Sequence, residues 1–181
     1  MAFEAYLKWT GTSTTFKPEP THGASTFRRG HEAQAPILRC SYSVSVPYDV
    51  THGSPKAKRV HQPLVVLKEW GPSTPLHMKV CTGNELLSQV VFSFYQVAND
   101  GTDQLMYTVT LTNAHIIKIR QFTGEQGADG DASSGATAKN PGAHDTMELE
   151  EIHFTFEKIQ QQHEIAKTIV IDDWLAAGPT S

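Results

Sequence analysis

The segment from Gln62 to Gly83, QPLVVLKEWGPSTPLHMKVCTG, constrains the fold of this chain more than any other stretch. It begins with a continuous apolar and β-branched run, Leu64 to Leu67, which is typical of a buried strand. A Gly-Pro pair then breaks the run. Thr74 can cap a helix whose first residue is Pro75, where a missing N–H costs nothing. Gly83 stands where a left-handed C-terminal cap is expected, so the segment predicts a strand, a corner and one short helix.

The predicted helix has an apolar face. Leu76 and Val80 lie one turn apart, so we expect both side chains to pack against the rest of the domain. We therefore predict that the helix supports the fold and does not present chemistry.

Most of the remaining chain has the period-two alternation of β-strands. The first strand is predicted at Phe3 to Trp9. Residues from Cys40 to Tyr48 alternate strictly, which predicts a half-buried strand with serines on its other face and an apolar face made of Tyr42, Val44, Val46 and Tyr48. Further strands are predicted at 90–97, from 104 onward, at 147–159 and at 165–171. A hairpin turn is predicted at 99–101 and another turn at 160–163. A bulge or bend is predicted at 113–114, after which Ile117 and Ile119 form the apolar face.

Many antiparallel strands at hairpin spacing, with one helix, predict a mainly β fold. The specific prediction is a closed or nearly closed antiparallel β-barrel with one short flanking α-helix at about residues 74–82. Closure is expected because open edges on so many apolar strands would promote aggregation.

The chain is interpreted as a single domain, 1–175, followed by a short tail, 176–181. There is no internal repeat and no sign of a second domain. Two long loops interrupt the strands, at 10–36 and at 123–146. The second loop is low in complexity and has almost nothing to bury, so it is predicted to be a surface loop.

Composition and charge exclude several function classes. The 181 residues carry a net charge of −4 and no strongly basic field, so no nucleic-acid partner is expected. The start, MAFEAYLKW, lacks the features of a secretory signal, and no apolar run approaches the ~20 residues of a membrane-spanning helix. Cys40 and Cys81 are expected to be buried free thiols. The chain is therefore expected to be made in a reducing cytoplasm, without membrane insertion, which leaves open export by a route that needs no cleaved signal.

No active site is visible in the sequence. The nine histidines form no HExxH motif or zinc spacing, and the segment that begins at Asp129 lacks key residues of a calcium loop. There is no GxSxG elbow and no phosphate-binding glycine loop. We predict no catalytic, cofactor-binding or metal-binding residues and no cofactor. The nearby acidic residues are interpreted as a solvated face and not as paired catalytic carboxylates: Glu148, Glu150, Glu151, Asp172 and Asp173.

A small basic cluster stands in the polar loop that leads to the segment described first. Its members are Lys56, Lys58 and Arg59. Phosphate recognition normally recruits more charges, so the cluster is better suited to a contact with a protein surface.

Two classes of function remain open from the residues alone. One is a self-assembling structural protein. The other is a stand-alone β-sandwich binding module, for example for carbohydrate, in which exposed Trp9, Trp70 or Trp174 would stack on sugar rings.

Several motifs follow one another in a characteristic order. They are MAFEAYLKW, the strand CSYSVSVP, the strand PLVVLK, a helix opened by STPL and closed by CTGNEL, the 99–101 hairpin, the strand LMYTVTLTNAHI, and EEIHFTFEKI before Asp172-Asp173-Trp174. In this order they resemble the Hcp family, the haemolysin-coregulated proteins of bacterial type VI secretion systems. The resemblance covers most of residues 1–11 and 36–122 and resumes at 147–175.

The resemblance implies a two-sheet β-barrel with a flanking helix, and six copies that close into a homohexameric ring. It also implies that rings stack into an inner tube, surrounded by a contractile sheath, tipped by a spike protein and able to carry effector proteins in the lumen. A loop matching residues 49–60 reaches the neighbouring ring in the family, which would place Lys56, Lys58 and Arg59 for ring stacking. Such a protein is secreted by the type VI apparatus and is not an enzyme.

This sequence departs from the family pattern in two places. Residues 11–35 lack the usual acidic GES-type pattern and are longer. The loop at 123–146 is long and rich in glycine. Either departure could alter stacking or face the exterior.

Overall fold

The computed structural model describes residues 3–20, 29–98, 101–123 and 148–174. Its elements are β1 (Phe3–Gly11), β2 (Ala35–Ile37), β3 (Arg39–Ser41), β4 (Val44–Ser45), β5 (Val60–His61), β6 (Leu64–Glu69), α1 (Thr74–Thr82), β7 (Leu87–Val97), β8 (Asp103–Thr123), β9 (Glu148–His163) and β10 (Thr168–Asp173). Outside the described residues lie most of the predicted 123–146 loop with the Asp129 segment, part of the 10–36 loop, turn positions 99 and 100, and the tail.

The strands form a nearly closed antiparallel barrel. Eight strands belong to one sheet, in the order β2-β1-β7-β8-β9-β6-β3, and β10 pairs with the part of β9 that β6 leaves free. Only Leu38 separates β2 from β3, so the single stretch 35–41 pairs with β1 at one end and with β6 at the other. This stretch brings the two ends of the sheet together. The predicted mainly β barrel is confirmed, and β4 and β5 form a separate two-stranded sheet.

The barrel interior holds the hydrophobic core. The helix closes part of it, since Val80 is fully buried and Leu76 packs against the core, as predicted. Burial of such side chains is the main favourable term in folding, at roughly 1.5–3 kcal/mol for each large aliphatic or aromatic group. The largest apolar side chains with almost no exposure are Trp9, Phe92, Phe154, Leu7, Leu64, Leu87, Leu111 and Ile152.

The C-terminus of the helix differs from the prediction by one residue. Gly83 has φ −83°, an ordinary helical value, and Asn84 takes the left-handed conformation with φ +48°. The backbone N–H groups of Asn84 and Glu85 donate to the carbonyl oxygens of Cys81 and Val80 at 3.2 and 3.0 Å. This is a Schellman motif with asparagine at the left-handed position, which asparagine tolerates better than most residues. The predicted left-handed Gly83 is therefore wrong.

The N-terminus of the helix also differs in detail. Ser73 is the N-cap residue and makes no side-chain capping bond, while Thr74 is already helical. The Thr74 hydroxyl accepts a hydrogen bond from the Gly71 N–H at 2.9 Å.

The long strand β8 is irregular near the predicted bend. Asn113 has φ +52°, and the register with β9 shifts between Ile116 and Lys118. Because of these irregularities, Ile116 is buried and Ile117 is exposed, so the assignment of Ile117 to the apolar face is wrong. Ile119 does pack against the core.

Two other predicted features are wrong. β9 continues through 160–163, where a turn was predicted, and the turn follows at 164–167. The alternating stretch 40–48 does not form one half-buried strand. Its apolar residues are mostly exposed, and only Cys40 and Tyr42 pack against the core. Both cysteines are free thiols, as expected, but they are half-buried.

Candidate functional site

Residues 43–62 form a hairpin that we call the arm. The N–H of Gln62 donates to the carbonyl oxygen of Ser43 at 3.0 Å, which closes the base of the arm, and β4 pairs with β5 directly above it. Farther out, the Lys56 N–H donates to the Pro47 carbonyl oxygen at 2.8 Å. The tip is a tight turn in which Gly53 has φ +66° and Asp49 accepts a hydrogen bond from the Thr51 N–H at 2.8 Å. The hairpin is thus held by its own backbone bonds.

The arm exposes large apolar side chains to solvent. Tyr48 is 64% exposed and Val50 88% exposed, and Val44, Val46 and Val60 are also exposed. Val44 pairs with His61 and Ser45 pairs with Val60, so Val44 and Val60 lie on opposite faces of the hairpin. Isolated apolar side chains are common on protein surfaces, but a cluster on one short element indicates a contact surface.

The three basic residues predicted to mediate stacking all lie on the arm, in different surroundings. Lys56 is exposed, and its Nζ lies 3.0 Å from Asp49 Oδ2 within the arm. Lys58 is exposed. Arg59 is mostly buried and forms a bidentate ion pair with Asp172 of β10. The guanidinium of Arg59 therefore points at the barrel of its own chain.

A polar and aromatic cluster surrounds this ion pair at the base of the arm. His61 is buried, its Nδ1 lies 2.5 Å from the Tyr42 hydroxyl, and its Nε2 lies 3.1 Å from Asp172 Oδ2 in a geometry that forms no hydrogen bond. The rings of Phe156 and Trp174 lie 5.6 and 5.2 Å from the His61 ring. Burial, and then the negative charge of Asp172, raise the pKa of Tyr42 to about 12, so its hydroxyl stays protonated.

A second polar cluster is buried beside the start of α1. Lys68 Nζ lies 2.9 Å from Glu19 Oε2 and 3.0 Å from Glu150 Oε1. His77 Nδ1 also lies 3.0 Å from Glu150 Oε1, and the Thr74 hydroxyl donates to that oxygen at 2.8 Å. Burial alone would raise the pKa of Glu150, but the hydrogen bond from His77 and the charges of His77 and Lys68 outweigh burial and lower it. The cluster therefore holds Glu150 as a carboxylate.

The backbone at Gly71 and Ser73 also lies close to Glu19 in this second cluster. The Ser73 N–H donates to Glu19 Oε1 at 2.8 Å. A Cβ atom on Gly71 would lie 2.5 Å from the Glu19 carboxyl group, so a larger residue there would displace this carboxyl group from its contacts. The cluster joins the 11–20 segment, β6, α1 and β9, and its position inside the protein indicates a structural role.

The solvated acidic face predicted from the sequence is partly wrong. Glu150 and Glu151 are buried, whereas Glu148 is exposed. Asp172 and Asp173 are half-buried at the end of β10. No local signal in the sequence distinguishes these cases, because the partners of Glu150 are Lys68 and His77, which are far away in the chain.

The tryptophans do not form an exposed stacking platform. Trp9 is buried in the core. Trp70 is half-exposed, and its indole N–H donates to the Leu149 carbonyl oxygen at 2.8 Å. Trp174 is half-exposed and packs on His61 and Phe156. Among the described residues, no three histidine, cysteine or acidic side chains are grouped so that they could hold a metal ion.

Comparison with known proteins gives the arrangement its context. A family profile described as "Type VI secretion system effector, Hcp" matches residues 6–163. The chain belongs to the Hcp family. The resemblance in the motif order is thus confirmed.

Relatives of known sequence and structure agree with the Hcp assignment. The "Major exported protein" of Pseudomonas aeruginosa is 31% identical, over 96% of this chain and 96% of the relative. A crystal structure of an Hcp protein is 26% identical, covers 94% of this chain and 99% of its own, and superposes with a TM-score of 0.75. The secreted protein Hcp3 from P. aeruginosa is 27% identical, covers 97% and 100%, and has a TM-score of 0.72.

Membership of the Hcp family settles the class of function. Hcp proteins are structural, secreted proteins and not enzymes. The chain is thus a type VI secretion protein of the Hcp family. Within the described residues, no helix has the length and apolarity that crossing a bilayer would require.

Proposed function

We propose that this Hcp protein closes into homohexameric rings that stack into the inner tube of a type VI secretion system. A contractile sheath surrounds the tube, a spike protein caps its tip, and effector proteins travel in its lumen. The protein is made in the bacterial cytoplasm and leaves the cell through the apparatus. The observation that carries the proposal is the exposure of Tyr48, Val50 and neighbouring valines on the arm of an Hcp-family barrel.

The proposal assigns stacking to the arm. Its apolar side chains are covered by the next ring, and Lys56 and Lys58 face an acidic surface there. Solvent-exposed charges act over about a Debye length, roughly 10 Å at 0.1 M salt, so salt weakens this contact. A charge-dependent contact lets stacking be weaker than ring closure.

The proposal assigns ring closure to the barrel wall. The strand β10 pairs with β9 on one side, and Ile165, Ile169 and Val170 around it are exposed. A ring needs a heterologous contact, in which one patch meets a different patch of the next copy, and an interface of about 1,000 Å² or more. Exposed β-branched residues on a short strand suit such a contact.

The first test measures the oligomer. Native mass spectrometry is expected to give six times the monomer mass, and negative-stain electron microscopy is expected to show rings, with stacks at high protein concentration. A species that stays monomeric at the highest soluble concentration would overturn the proposed function. Saturable glycan binding by that monomer would instead support the carbohydrate-binding module.

The second test concerns the exposed basic residues of the arm. The double variant Lys56→Glu/Lys58→Glu is expected to shorten stacks while hexamers persist, because the changed charges lie outside the ring contact. Lys17→Glu makes the same kind of charge change at an exposed site away from the arm and serves as the control. Equal loss of rings and stacks, or no loss of either, would contradict the assignment of these lysines to stacking.

A further inference from the structure

The arm has little packing of its own to fix its direction. From Val44 to Lys58, every side chain is exposed except the half-buried Asp49. An isolated two-stranded hairpin is at best marginally stable in water, even when its backbone bonds are formed. The orientation of the arm on the barrel must therefore be set at its base.

The contacts at the base join both sides of the hairpin to the same end of β10. Tyr42 precedes the arm, and Arg59 and His61 lie on its returning side. Arg59 engages the carboxylate of Asp172 through two nitrogens and also donates to the Asp173 carbonyl oxygen at 2.6 Å. The Tyr42 hydroxyl lies 2.5 Å from His61 Nδ1, and the other ring nitrogen of His61 lies 3.1 Å from Asp172 Oδ2 without forming a hydrogen bond.

The chemistry of these contacts restricts rotation. A bidentate guanidinium–carboxylate pair has a fixed planar geometry, unlike a lysine point charge. The side chains of Arg59 and Asp172 are only 13% and 15% exposed, so water screens their attraction less than that of a surface pair. The His61 ring is also held by Phe156 and Trp174, which prevents the base from swinging sideways.

We propose that Tyr42, Arg59, His61 and Asp172 form a clamp that holds the arm in the orientation needed for stacking. The proposal rests on the stacking role of the arm and assigns Arg59 a different part from Lys56 and Lys58. Arg59 is a positioning residue inside one subunit, whereas the two lysines face the neighbouring ring. Loss of the clamp releases the arm from the barrel, so that the arm samples many directions.

The expected loss of stacking depends on the fraction of time that a released arm spends in the stacking orientation. If a released arm is in the stacking orientation for about a tenth of the time, the apparent affinity of that contact falls about tenfold. The barrel core does not include the clamp's ion pair, so ring closure is expected to continue.

The experiment compares Asp172→Asn, Arg59→Lys and the charge swap Arg59→Asp/Asp172→Arg with the unmodified chain. Lys158→Gln is the matched control, because it removes a neighbouring ion pair, 3.8 Å from Lys158 Nζ to Asp173 Oδ2, without touching the arm. Sedimentation velocity and electron microscopy over a protein concentration series measure hexamers and stacks separately. Hydrogen exchange measures opening of the backbone bonds within residues 42–62.

The single variants are expected to need about tenfold more protein to stack, with hexamer mass and melting temperature close to those of Lys158→Gln. The charge swap is expected to recover part of the stacking. If the unmodified chain stacks and Asp172→Asn stacks equally well, the clamp proposal is overturned and the tube proposal stands. If the unmodified chain forms no rings, the tube proposal fails and the clamp proposal fails with it. Loss of hexamers and stacks together in Asp172→Asn would also overturn the clamp, by showing that the residue acts in ring closure.

Discussion

Lys68 is a charged side chain with no exposure to solvent, placed between the carboxylates of Glu19 and Glu150. Removing an ion from water costs several kcal/mol, and only close partners and further hydrogen bonds can offset that cost. Here the Lys68 ammonium also donates to the Glu69 carbonyl oxygen at 2.6 Å, which occupies a third donor. The cluster is therefore sensitive to loss of any one charge.

We expect Lys68→Met to destabilise the protein by about 3–5 kcal/mol, because two buried carboxylates lose their shared cation. Chemical denaturation at pH 7 measures the change in unfolding free energy. Lys79→Met, on the exposed side of α1, is the control and is expected to stay within about 0.5 kcal/mol. Similar losses in the two variants would show that the buried cation does not hold this cluster together.

This cluster could not be predicted from the sequence. Glu19, Lys68 and Glu150 come from separate parts of the chain, and charged side chains of these types are usually exposed. Their burial depends on which strands pair, and pairing over such distances leaves no local pattern. Arg59 was singled out for the same reason as Lys56 and Lys58, since charge alone does not reveal that Arg59 turns toward Asp172.

At the level of elements, the helix was predictable and the arm was not. A Pro near the first helical turn and apolar residues one turn apart are local signals, so the helix bounds were predicted correctly, although the left-handed residue is Asn84 and not Gly83. The alternation at 40–48 equally predicted a strand with an apolar face. Alternation indicates that one face is to be covered, but it does not say whether the cover comes from the same chain or from another copy.

Glu85 connects two elements, the end of α1 and the segment that follows β1. Its Oε1 accepts hydrogen bonds from the Ser13 and Thr14 N–H groups at 2.7 Å each, and its Oε2 accepts one from the Thr14 hydroxyl at 2.6 Å. The pKa of Glu85 is lowered from 4.5 to about 2. The main cause is the hydrogen bond from the Thr14 hydroxyl, and the hydrogen bonds from the backbone N–H groups are a further cause. A Cβ atom on Gly11 would lie 2.6 Å from Oε1, so this close connection requires a glycine.

Because the pKa of Glu85 is lower in the folded state, its stabilising effect is complete above about pH 4.5 and is lost as the pH falls toward about 2. We expect Glu85→Gln to lower the unfolding free energy by about 1–2 kcal/mol at pH 7, because an amide has only one acceptor oxygen. The difference from the unmodified protein is expected to shrink below pH 4.5. Urea titrations at pH 7 and pH 3 measure it.

Thr14→Val and Thr12→Val provide the control for this contact. The Thr12 hydroxyl lies 3.5 Å from Glu85 Oε1, too far for a strong bond, whereas the Thr14 hydroxyl is close. Thr14→Val should reproduce much of the Glu85→Gln effect, and Thr12→Val little of it. A difference between Glu85→Gln and the unmodified protein that stays constant from pH 7 to pH 3 would contradict the assigned role of the carboxylate.

For the whole molecule, barrel closure is what makes the separate signals consistent. The short segment 35–41 changes partners at Leu38, pairing with β1 and then with β6, and so completes the barrel with few residues. The sequence predicted closure from the number of apolar strands and the cost of open edges. It did not predict which segment closes the barrel, because a three-residue strand within a Gly- and Pro-rich region has no period to recognise.

The register of the two longest strands leads to a prediction about the chain between them. Thr123 at the end of β8 pairs directly with Glu148 at the start of β9, so the ends to be joined lie about 5 Å apart. Replacing residues 125–146 with a turn of about four residues therefore requires no change in the barrel. A connection of half the length costs about 0.6 kcal/mol less entropy to close, so we expect stability to be unchanged or to rise by about 1–2 kcal/mol.

Chemical denaturation and the concentration series for rings and stacks measure the two consequences of this replacement separately. A variant with the same residues of 125–146 in shuffled order is the control, because it keeps length and composition and removes any specific sequence. A fall of more than about 2 kcal/mol in the shortened protein would contradict the prediction, since that exceeds the entropy term and requires lost packing. If the shortened protein keeps its stability and its hexamers but loses stacking, and the shuffled variant also loses stacking, then the order of residues in this segment contributes to contacts between rings.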